Sequence, residues 1–330
     1  MSEPAPALSA PEKTSWLRHV LTAFGPLVGL VAVCVLFAVL RYDTFVTRDN
    51  FAIILQQTAV IGVAALGMTL VIIAGGIDLS VGSIIALGTV VIALLLQQGV
   101  SPLLAALGGI GAAALCGGLS GLLITRLRLL PFVVTLGMMG ALRGAAKGLA
   151  REQPVYPDET WLNNLMQLGR GGSLPSGVWL MLVLAVLVAL VLRYTRFGRH
   201  VFAVGSNELT ARLCGVPVER VKLLVYILGG AFAGLGAVLQ FAYLTGGDPT
   251  TAVGLELNII AAVVIGGASL AGGQGTVTGT LVGALIMSVV ANGCTKLGLS
   301  NWVQEIVTGG IIIAAVLLDY VRRRGSAARS

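Results

Sequence analysis

Ten stretches of mostly apolar residues, separated by short polar segments, dominate this chain of 330 residues. Most are close to the roughly 20 residues that an α-helix needs to cross the apolar core of a membrane. Apolar runs of this length, without strict alternation, predict membrane-spanning helices rather than strands. We therefore expect an all-α, polytopic membrane protein with about ten transmembrane helices. The predicted spans are 20–40, 51–73, 78–97, 102–124, 131–149, 177–194, 222–244, 256–268, 277–294 and 302–320.

The regular pattern is interrupted at two glycine-rich segments, 75–82 and 266–276, and the predicted span 256–268 beside the second is short. Backbone that is not helical is tolerated at membrane depth only where protein or a water-filled cavity covers it. We therefore expect broken or short helices near both glycine-rich loops.

The basic residues indicate how the chain is oriented. Only 11% of the residues are charged, against about 25% in soluble domains, and 14 of the 21 Lys and Arg fall on one side of the predicted topology. By the positive-inside rule this side is cytoplasmic. We expect a disordered cytoplasmic tail at 1–19, a membrane domain at 20–320 with a cytoplasmic loop at 193–222, and a basic cytoplasmic tail at 321–330. Because the basic residues flank apolar segments, the net charge of +7 does not indicate nucleic-acid binding.

The loop 193–222 carries six of the 21 Lys and Arg and contains a short predicted helix. Asn207 can cap its start, and the negative charge of Glu208 suits the first turn. Gly215 allows a left-handed stop, and Pro217 prevents the helix from continuing. A short helix of this kind can dock in a groove on a soluble partner; the alternative is an ordinary connecting loop.

Three motifs, taken together, resemble those of the permease subunits of bacterial ABC importers, in the ribose-type branch for monosaccharides. They are GGIDLSVG at 75–82, GGxSxxGGxG at 266–275 and Asn-x-x-small-Ala-x-x-x-Gly at 207–215, and the similarity extends over about 44–320. The resemblance implies that one group of residues couples the chain to an ATPase: Asn207, Glu208, Thr210, Ala211, Arg212 and Gly215. It implies that a second group acts in gating or packing along the pathway: Gly75, Gly76, Asp78, Ser80, Gly266, Gly267, Ser269, Gly272, Gly273 and Gly275.

The resemblance also implies partners. Two permease chains, a second copy or a paralogue, would line a pathway in the bacterial inner membrane, and two cytoplasmic ABC ATPases would hold the coupling helices. A periplasmic or lipid-anchored binding protein would deliver the monosaccharide. Ala is frequent in the family where Thr210 stands and Ser where Cys214 stands, but all four residues are small. The segment after Gly148 is unlike the ribose-type pattern, which leaves the sugar open.

Carboxylates in the predicted spans are the next candidates. A charged side chain there costs about 2.5–3.5 kcal/mol on insertion scales, so Asp78 is expected either to face a gate or cavity, or to cap a helix through the N–H groups of Ser80 and Val81. Glu256 is expected to be solvated or capping. Beside Asn258, it is also a candidate contact for a sugar hydroxyl.

Several function classes are excluded or disfavoured. There is no Gly-Lys dipeptide, so the chain lacks a Walker A loop and ATP hydrolysis is expected on a partner. Neither a Ser/His/Asp nor a Cys/His set is indicated, and four scattered cysteines suggest no metal or cofactor site. Two alternatives stay open: a permease for another small solute, such as a branched-chain amino acid or nucleoside, and an ion-coupled secondary transporter, for which Asp78 is thin support.

Overall fold

The computed structural model describes residues 14–168 and 174–327, and within these ranges α-helices are the main regular element. A short 3₁₀ turn, Asn163–Met166, and one isolated β-bridge between Val155 and Gly247 lie in the irregular connections between them. The helices are α1 Thr14–Leu40, α2 Tyr42–Phe45, α3 Arg48–Ile73, α4 Val81–Gln97, α5 Pro102–Arg126, α6 Pro131–Leu149, α7 Ser176–Tyr194, α8 Arg196–Ser206, α9 Glu208–Leu213, α10 Val218–Leu244, α11 Leu255–Ile265, α12 Val277–Lys296 and α13 Asn301–Ala327.

Five described helices, α3, α5, α7, α10 and α12, are long and apolar enough to cross a membrane. Shorter apolar stretches lie in α1, α4, α11 and α13. The tenth predicted span, 131–149, corresponds to α6, which is in neither group. Each predicted span thus corresponds to a helix, and the multi-pass class is confirmed, whereas the number of ten crossings stays a prediction. Of the predicted tails, 1–13 and 328–330 lie outside the described residues, while 14–19 belong to α1 and 321–327 to α13.

Close contacts between glycines bring the helices together. A Cβ atom added at Gly230 of α10 would lie 3.0 Å from the Cα atom of Gly117 in α5, and one added at Gly283 of α12 would lie 3.0 Å from the Cα atom of Ala262 in α11. Small residues allow backbones to approach in this way, which is the main means of packing helices inside a membrane. Burial places α3, α4, α10, α11 and α12 at the centre of the protein, because most of their residues are buried.

The interruptions predicted at the two glycine-rich segments are present. α3 ends at Ile73, and the φ of +80° at Gly75 just beyond it allows the amide of Gly76 to donate to the carbonyl of Val71. Residues 74–80 are not helical, and α4 begins at Val81, three residues after the predicted start of its span at 78. α11 has 11 residues and is therefore about 16 Å long, about half of the roughly 30 Å thickness of the membrane core.

The predicted cytoplasmic loop 193–222 is mostly helical. The amphipathic helix α8, which buries Gly198, Val201 and Val204, was not predicted. α10 begins at Val218, four residues before the predicted span at 222. The sequence signal for α8 was present, because the Thr195 side chain accepts the amide of Gly198 as an N-cap and apolar residues recur three apart.

Candidate functional site

The helix α9 has the local structure that its sequence predicts. The Asn207 side chain accepts a hydrogen bond from the Thr210 amide at 2.9 Å, which caps the first turn. At the other end Gly215 has a φ of +81°, and the Val216 amide donates to the Ala211 carbonyl at 3.0 Å. This is the Schellman arrangement, in which a left-handed glycine satisfies the last carbonyls of a helix.

A chain of ion pairs connects α9 to the start of α10. Glu208 accepts from Lys222 at 2.5 Å and lies 3.5 Å from Arg212, which donates to Glu219 at 2.5 Å. The hydrogen bond to Glu219 and its negative charge raise the pKa of the exposed Arg212, so this cation stays charged. Glu208 is therefore both half-exposed and engaged within the chain, which the sequence did not reveal.

The outward surface of α9 is apolar. Leu209 is 68% exposed and Leu213 is 80% exposed, while Ala211 is buried against the rest of the protein. Two leucines four residues apart lie on the same face of a helix. Sequence reasoning concentrated on the polar and small residues of this helix and missed these two, although their spacing was the available signal.

The segment that joins α8 to α9 lies against both glycine-rich loops. The amide of Gly273 donates to the carbonyl of Ile73, the last residue of α3, at 2.8 Å. A Cβ atom added at Gly205 would clash with that carbonyl and would lie 2.6 Å from the Gly273 nitrogen. A Cβ atom added at Gly273 would lie 2.6 Å from the Ser206 hydroxyl. We call this meeting point of α3, the loop 266–276 and the end of α8 the glycine junction.

The glycines of the second loop are required by conformation as well as by space. Gly267, Gly272 and Gly273 have positive φ values of +93°, +87° and +75°, a region in which other residues are strained. A Cβ atom at Gly272 would also lie 3.0 Å from the Cα atom of Gly75. The predicted residues of the two loops are thus in direct contact, although nearly 200 positions separate them in the sequence.

The other predicted residues of this loop shape its turn. The Ser269 amide donates to the Gln274 carbonyl, and the Gly272 amide donates to the Ser269 carbonyl. Gly275 packs against the Ile73 side chain, and a Cβ atom at Gly266 would clash with the backbone of Gly279 in α12. These contacts hold the loop against α3 and α12.

Asp78 and its surroundings form a buried polar group between α3 and α4. Asp78 is 3% exposed, and its Oδ1 atom accepts from the Ser80 amide at 2.8 Å and from the Ser80 hydroxyl at 2.5 Å. Of the two amides named in the capping alternative, only that of Ser80 donates to Asp78, and Ser80 rather than Asp78 is the N-cap residue of α4. The Tyr226 hydroxyl lies against Gly76 and has no hydrogen-bond partner among the described residues.

Glu256 and Asn258 lie at the opposite end of α11 from the glycine junction, so the structure does not join them to the other predicted residues. Glu256 is half-buried rather than solvated, but it does help to cap α11, because its Oε1 atom accepts from the amide of the N-cap residue Gly254 at 3.3 Å. Its Oε2 atom packs against Gly82 of α4. Sequence reasoning also missed Arg143 of α6, whose Nη1 atom donates to the carbonyls of Pro249 and Thr251. The available signal was a single arginine inside a predicted span.

Comparison with known proteins identifies the family. The family described as "Branched-chain amino acid transport system / permease component" matches residues 50–316. The ribose import permease protein RbsC of Escherichia coli (strain K12) is 40% identical over 296 residues, which cover 88% of this chain and 92% of that protein.

Two further relatives have similar coverage. The L-arabinose ABC transporter permease protein AraH of Azospirillum brasilense is 39% identical over 300 residues, which cover 89% of this chain and 88% of that protein. The fructose import permease protein FrcC of Rhizobium meliloti is 35% identical over 324 residues, which cover 96% and 90%. The chain therefore belongs to this family of transport-system permease components, and it is a membrane subunit of an ABC transporter rather than an enzyme.

Proposed function

We propose that this chain forms the membrane pathway of an ABC importer for a monosaccharide, in the bacterial inner membrane. The observation that carries the proposal is the glycine junction, through which the exposed helix pair α8–α9 contacts both glycine-rich loops. The relatives named for ribose, L-arabinose and fructose support a sugar as the solute. ATP would be hydrolysed on two separate cytoplasmic subunits, and a periplasmic or lipid-anchored binding protein would supply the sugar.

The coupling would proceed through rigid elements. An ATPase that holds the apolar face of α9 displaces α8, because the two helices are joined at Asn207 without an intervening loop. The end of α8 rests on the Ile73–Gly273 hydrogen bond, so its displacement acts on the interrupted α3–α4 connection and on the short α11 together. Binding and hydrolysis of ATP would then bias the permease between two arrangements rather than deform it continuously.

The proposal includes an orientation of the chain in the membrane. The distribution of Lys and Arg supports cytoplasmic termini and a cytoplasmic α8–α9 pair. A second permease chain would complete the pathway. The coupling residues would be those of the α9 motif named above, together with Leu209 and Leu213. The gating residues would be the glycines of the two glycine-rich loops, together with Asp78 and Ser80.

A branched-chain amino acid is the second candidate solute, because the description of the matching family names it. Competition experiments separate the sugar from the amino acid. Solute uptake is measured into proteoliposomes that contain the permease, its ATPases and its binding protein. Inhibition of this uptake by excess D-ribose but not by excess L-leucine supports the sugar.

Co-purification tests the coupling role. The tagged chain is expressed with the ATPases of its host, and the proteins retained in mild detergent are identified by mass spectrometry. We expect an ABC ATPase with the wild type and its loss with Glu208→Lys. Because Glu208 also pairs with Lys222, the swapped variant Glu208→Lys with Lys222→Glu is the control.

The swapped variant restores an ion pair of opposite polarity, and we expect it to remain defective because the partner would bind the carboxylate of Glu208. Full recovery would show that Glu208 only holds α9 against α10 and would remove it from docking. A wild-type chain that retains no ATPase in any detergent would contradict the importer proposal itself.

A further inference from the structure

Tyr226 of α10 is a buried tyrosine whose hydroxyl group has no role in the coupling route proposed above. The residue is 2% exposed, and its hydroxyl oxygen has no hydrogen-bond partner within the described part of the chain. By contrast, the buried hydroxyl of Thr69 donates to the Ala65 carbonyl, one turn earlier in α3. Buried hydroxyl groups are nearly always paired, because leaving one unpaired is unfavourable. The unpaired hydroxyl of Tyr226 therefore destabilises the present arrangement of the protein.

The backbone of Tyr226 is held firmly in place. A Cβ atom added at Gly117 of α5 would clash with the Tyr226 carbonyl, and one added at Gly121 would lie 2.9 Å from the Tyr226 Cβ atom. These two glycines are four residues apart on one helix and let α5 approach α10 closely. The hydroxyl therefore cannot gain a partner by a shift of α10, because α5 restrains that helix.

The segment that faces the tyrosine hydroxyl is held by few hydrogen bonds. It is the connection 74–80 between α3 and α4, and a Cβ atom added at its Gly76 would lie 2.5 Å from the hydroxyl oxygen. Among the described residues, none of the amides of 77–79 donates a backbone hydrogen bond. The Thr135 hydroxyl of α6 reaches the Ile77 carbonyl at 3.2 Å, but it also contacts two carbonyls of its own helix. A segment with so few bonds is the part of this contact that can move.

The same connection also touches the glycine junction. A Cβ atom added at Gly272 would lie 3.0 Å from the Cα atom of Gly75, and one added at Gly75 would lie 3.9 Å from the Cα atom of Gly205. Of two consecutive residues, Gly75 thus contacts the junction and Gly76 contacts Tyr226. A displacement of α8, which acts on the junction, therefore changes what the tyrosine hydroxyl faces.

Asp78 supplies an acceptor within reach of this hydroxyl. The hydrogen bonds of its carboxylate both fall on Oδ1, from the amide and the hydroxyl of Ser80. Its Oδ2 atom accepts from none of the residues that the structure describes. Asp78 follows Gly76 by two positions, and two residues span at most about 7 Å. Because hydrogen bonds to a carboxylate are stronger than those to a neutral oxygen, a shift that brings Oδ2 to the tyrosine would stabilise the shifted arrangement.

We propose that Tyr226 is a positioning residue for transport, whose hydroxyl donates to the Asp78 carboxylate in the second arrangement of the permease. This inference rests on the proposed function, because it requires the two arrangements between which ATP binding and hydrolysis bias the chain. In the present arrangement the hydroxyl is unpaired. In the other it holds the displaced connection 74–80 against α10, so one hydroxyl group disfavours the first arrangement and favours the second.

Tyr226→Phe is the central variant, because it removes the hydroxyl and keeps the ring. It removes an unpaired group from one arrangement and a hydrogen bond from the other, and both changes shift the equilibrium in the same direction. We expect the maximal rate of sugar uptake by the complex with its ATPases and binding protein to fall by roughly 5- to 150-fold, the factor for one buried polar group. Tyr243→Phe changes an exposed tyrosine of the same helix and is the matched control.

Thermal unfolding separates positioning from a merely structural role. The midpoint of the assembled complex is measured in detergent, without nucleotide and with a non-hydrolysable ATP analogue. We expect Tyr226→Phe to raise the midpoint in one of these states and to lower it in the other, because the hydroxyl is paired in only one arrangement. A hydroxyl that only supports the fold would lower both midpoints. Shifts of the same sign in both states, or uptake equal to that of Tyr243→Phe, overturn the inference.

Two further variants test the donor and the acceptor. 4-Aminophenylalanine at position 226 restores an N–H donor, and we expect it to recover most of the uptake that Tyr226→Phe loses. Asp78→Asn keeps an acceptor for Ser80 but replaces the second oxygen by a donor, so adding Tyr226→Phe to it should reduce uptake little further. Failure of the amino analogue to restore uptake, or independent effects of the two substitutions, overturns the inference alone. A wild-type complex that retains its ATPases but takes up none of D-ribose, L-arabinose and D-fructose refutes the proposed function instead.

Discussion

Replacing Gly205 by Ala tests the glycine junction directly. The added methyl group would clash with the Ile73 carbonyl and approach the Gly273 nitrogen to 2.6 Å. Overpacking costs about 1–3 kcal/mol, and losing the Ile73–Gly273 hydrogen bond costs about 0.5–1.5 kcal/mol. The better helix propensity of Ala returns up to about 1 kcal/mol.

With the full return of about 1 kcal/mol, the net effect is about 0.5–3.5 kcal/mol against the packed junction, which corresponds to a change of roughly 2- to 300-fold in the equilibrium constant for packing it. We therefore expect Gly205→Ala to reduce sugar uptake into proteoliposomes within this range. ATPase retention should persist, because the exposed face of α9 is unchanged. The loss of transport should thus appear without a loss of assembly.

Gly111→Ala is the control, since Gly111 lies in α5 and an added Cβ atom has nothing within 4 Å. Uptake by Gly205→Ala at the rate of the wild type would refute the coupling route through the junction. An equal loss in Gly111→Ala would show that the effect is general to helix glycines and would refute it as well.

Two further predictions concern α9. Gly215→Val should reduce the amount of sugar moved per ATP hydrolysed, because a β-branched residue at a φ of +81° is strained. Gly215→Asn should not reduce it, because Asn tolerates a positive φ. Equal ratios of sugar to ATP in the two variants would contradict the role given to the helix stop at Gly215. Leu209→Ala and Leu213→Ala should each weaken ATPase binding by roughly 10- to 150-fold if docking buries a full leucine side chain. Leu115→Ala, at an equally exposed position in α5, should leave the measured affinity unchanged, and the same affinity in all three variants would exclude α9 as an apolar docking surface.

Helix ends were predictable where a local hydrogen bond defines them. The Asn207 cap and the Gly215 stop involve residues within five positions of each other, so the sequence contains all the interacting groups. α8 was missed because its apolar face is short and its charges resembled those of a cytoplasmic loop. The start of the third span was predicted three residues too early. The apolar residues at 77 and 79 continue the apolar pattern of the span, although the backbone there is not helical.

The candidate site was predictable in its parts but not in its arrangement. The motifs around Gly75, Gly215 and Gly272 were all recognised from the sequence, but nothing in it shows that Gly205 packs against both the first and the third. Arg143 and the buried position of Glu256 were missed because their partners, Thr251 and Gly82, belong to other elements.

The sequence alone determined that this is a multi-pass helical membrane protein and where its helices are interrupted, because apolar length and local capping act within one segment. The tertiary structure alone decided that α8 lies on the Ile73–Gly273 hydrogen bond, and that Glu208 is paired with Lys222. Contacts of this kind depend on how closely backbones approach one another. That distance is set by the packing of glycines on several helices at once, and no single segment encodes it.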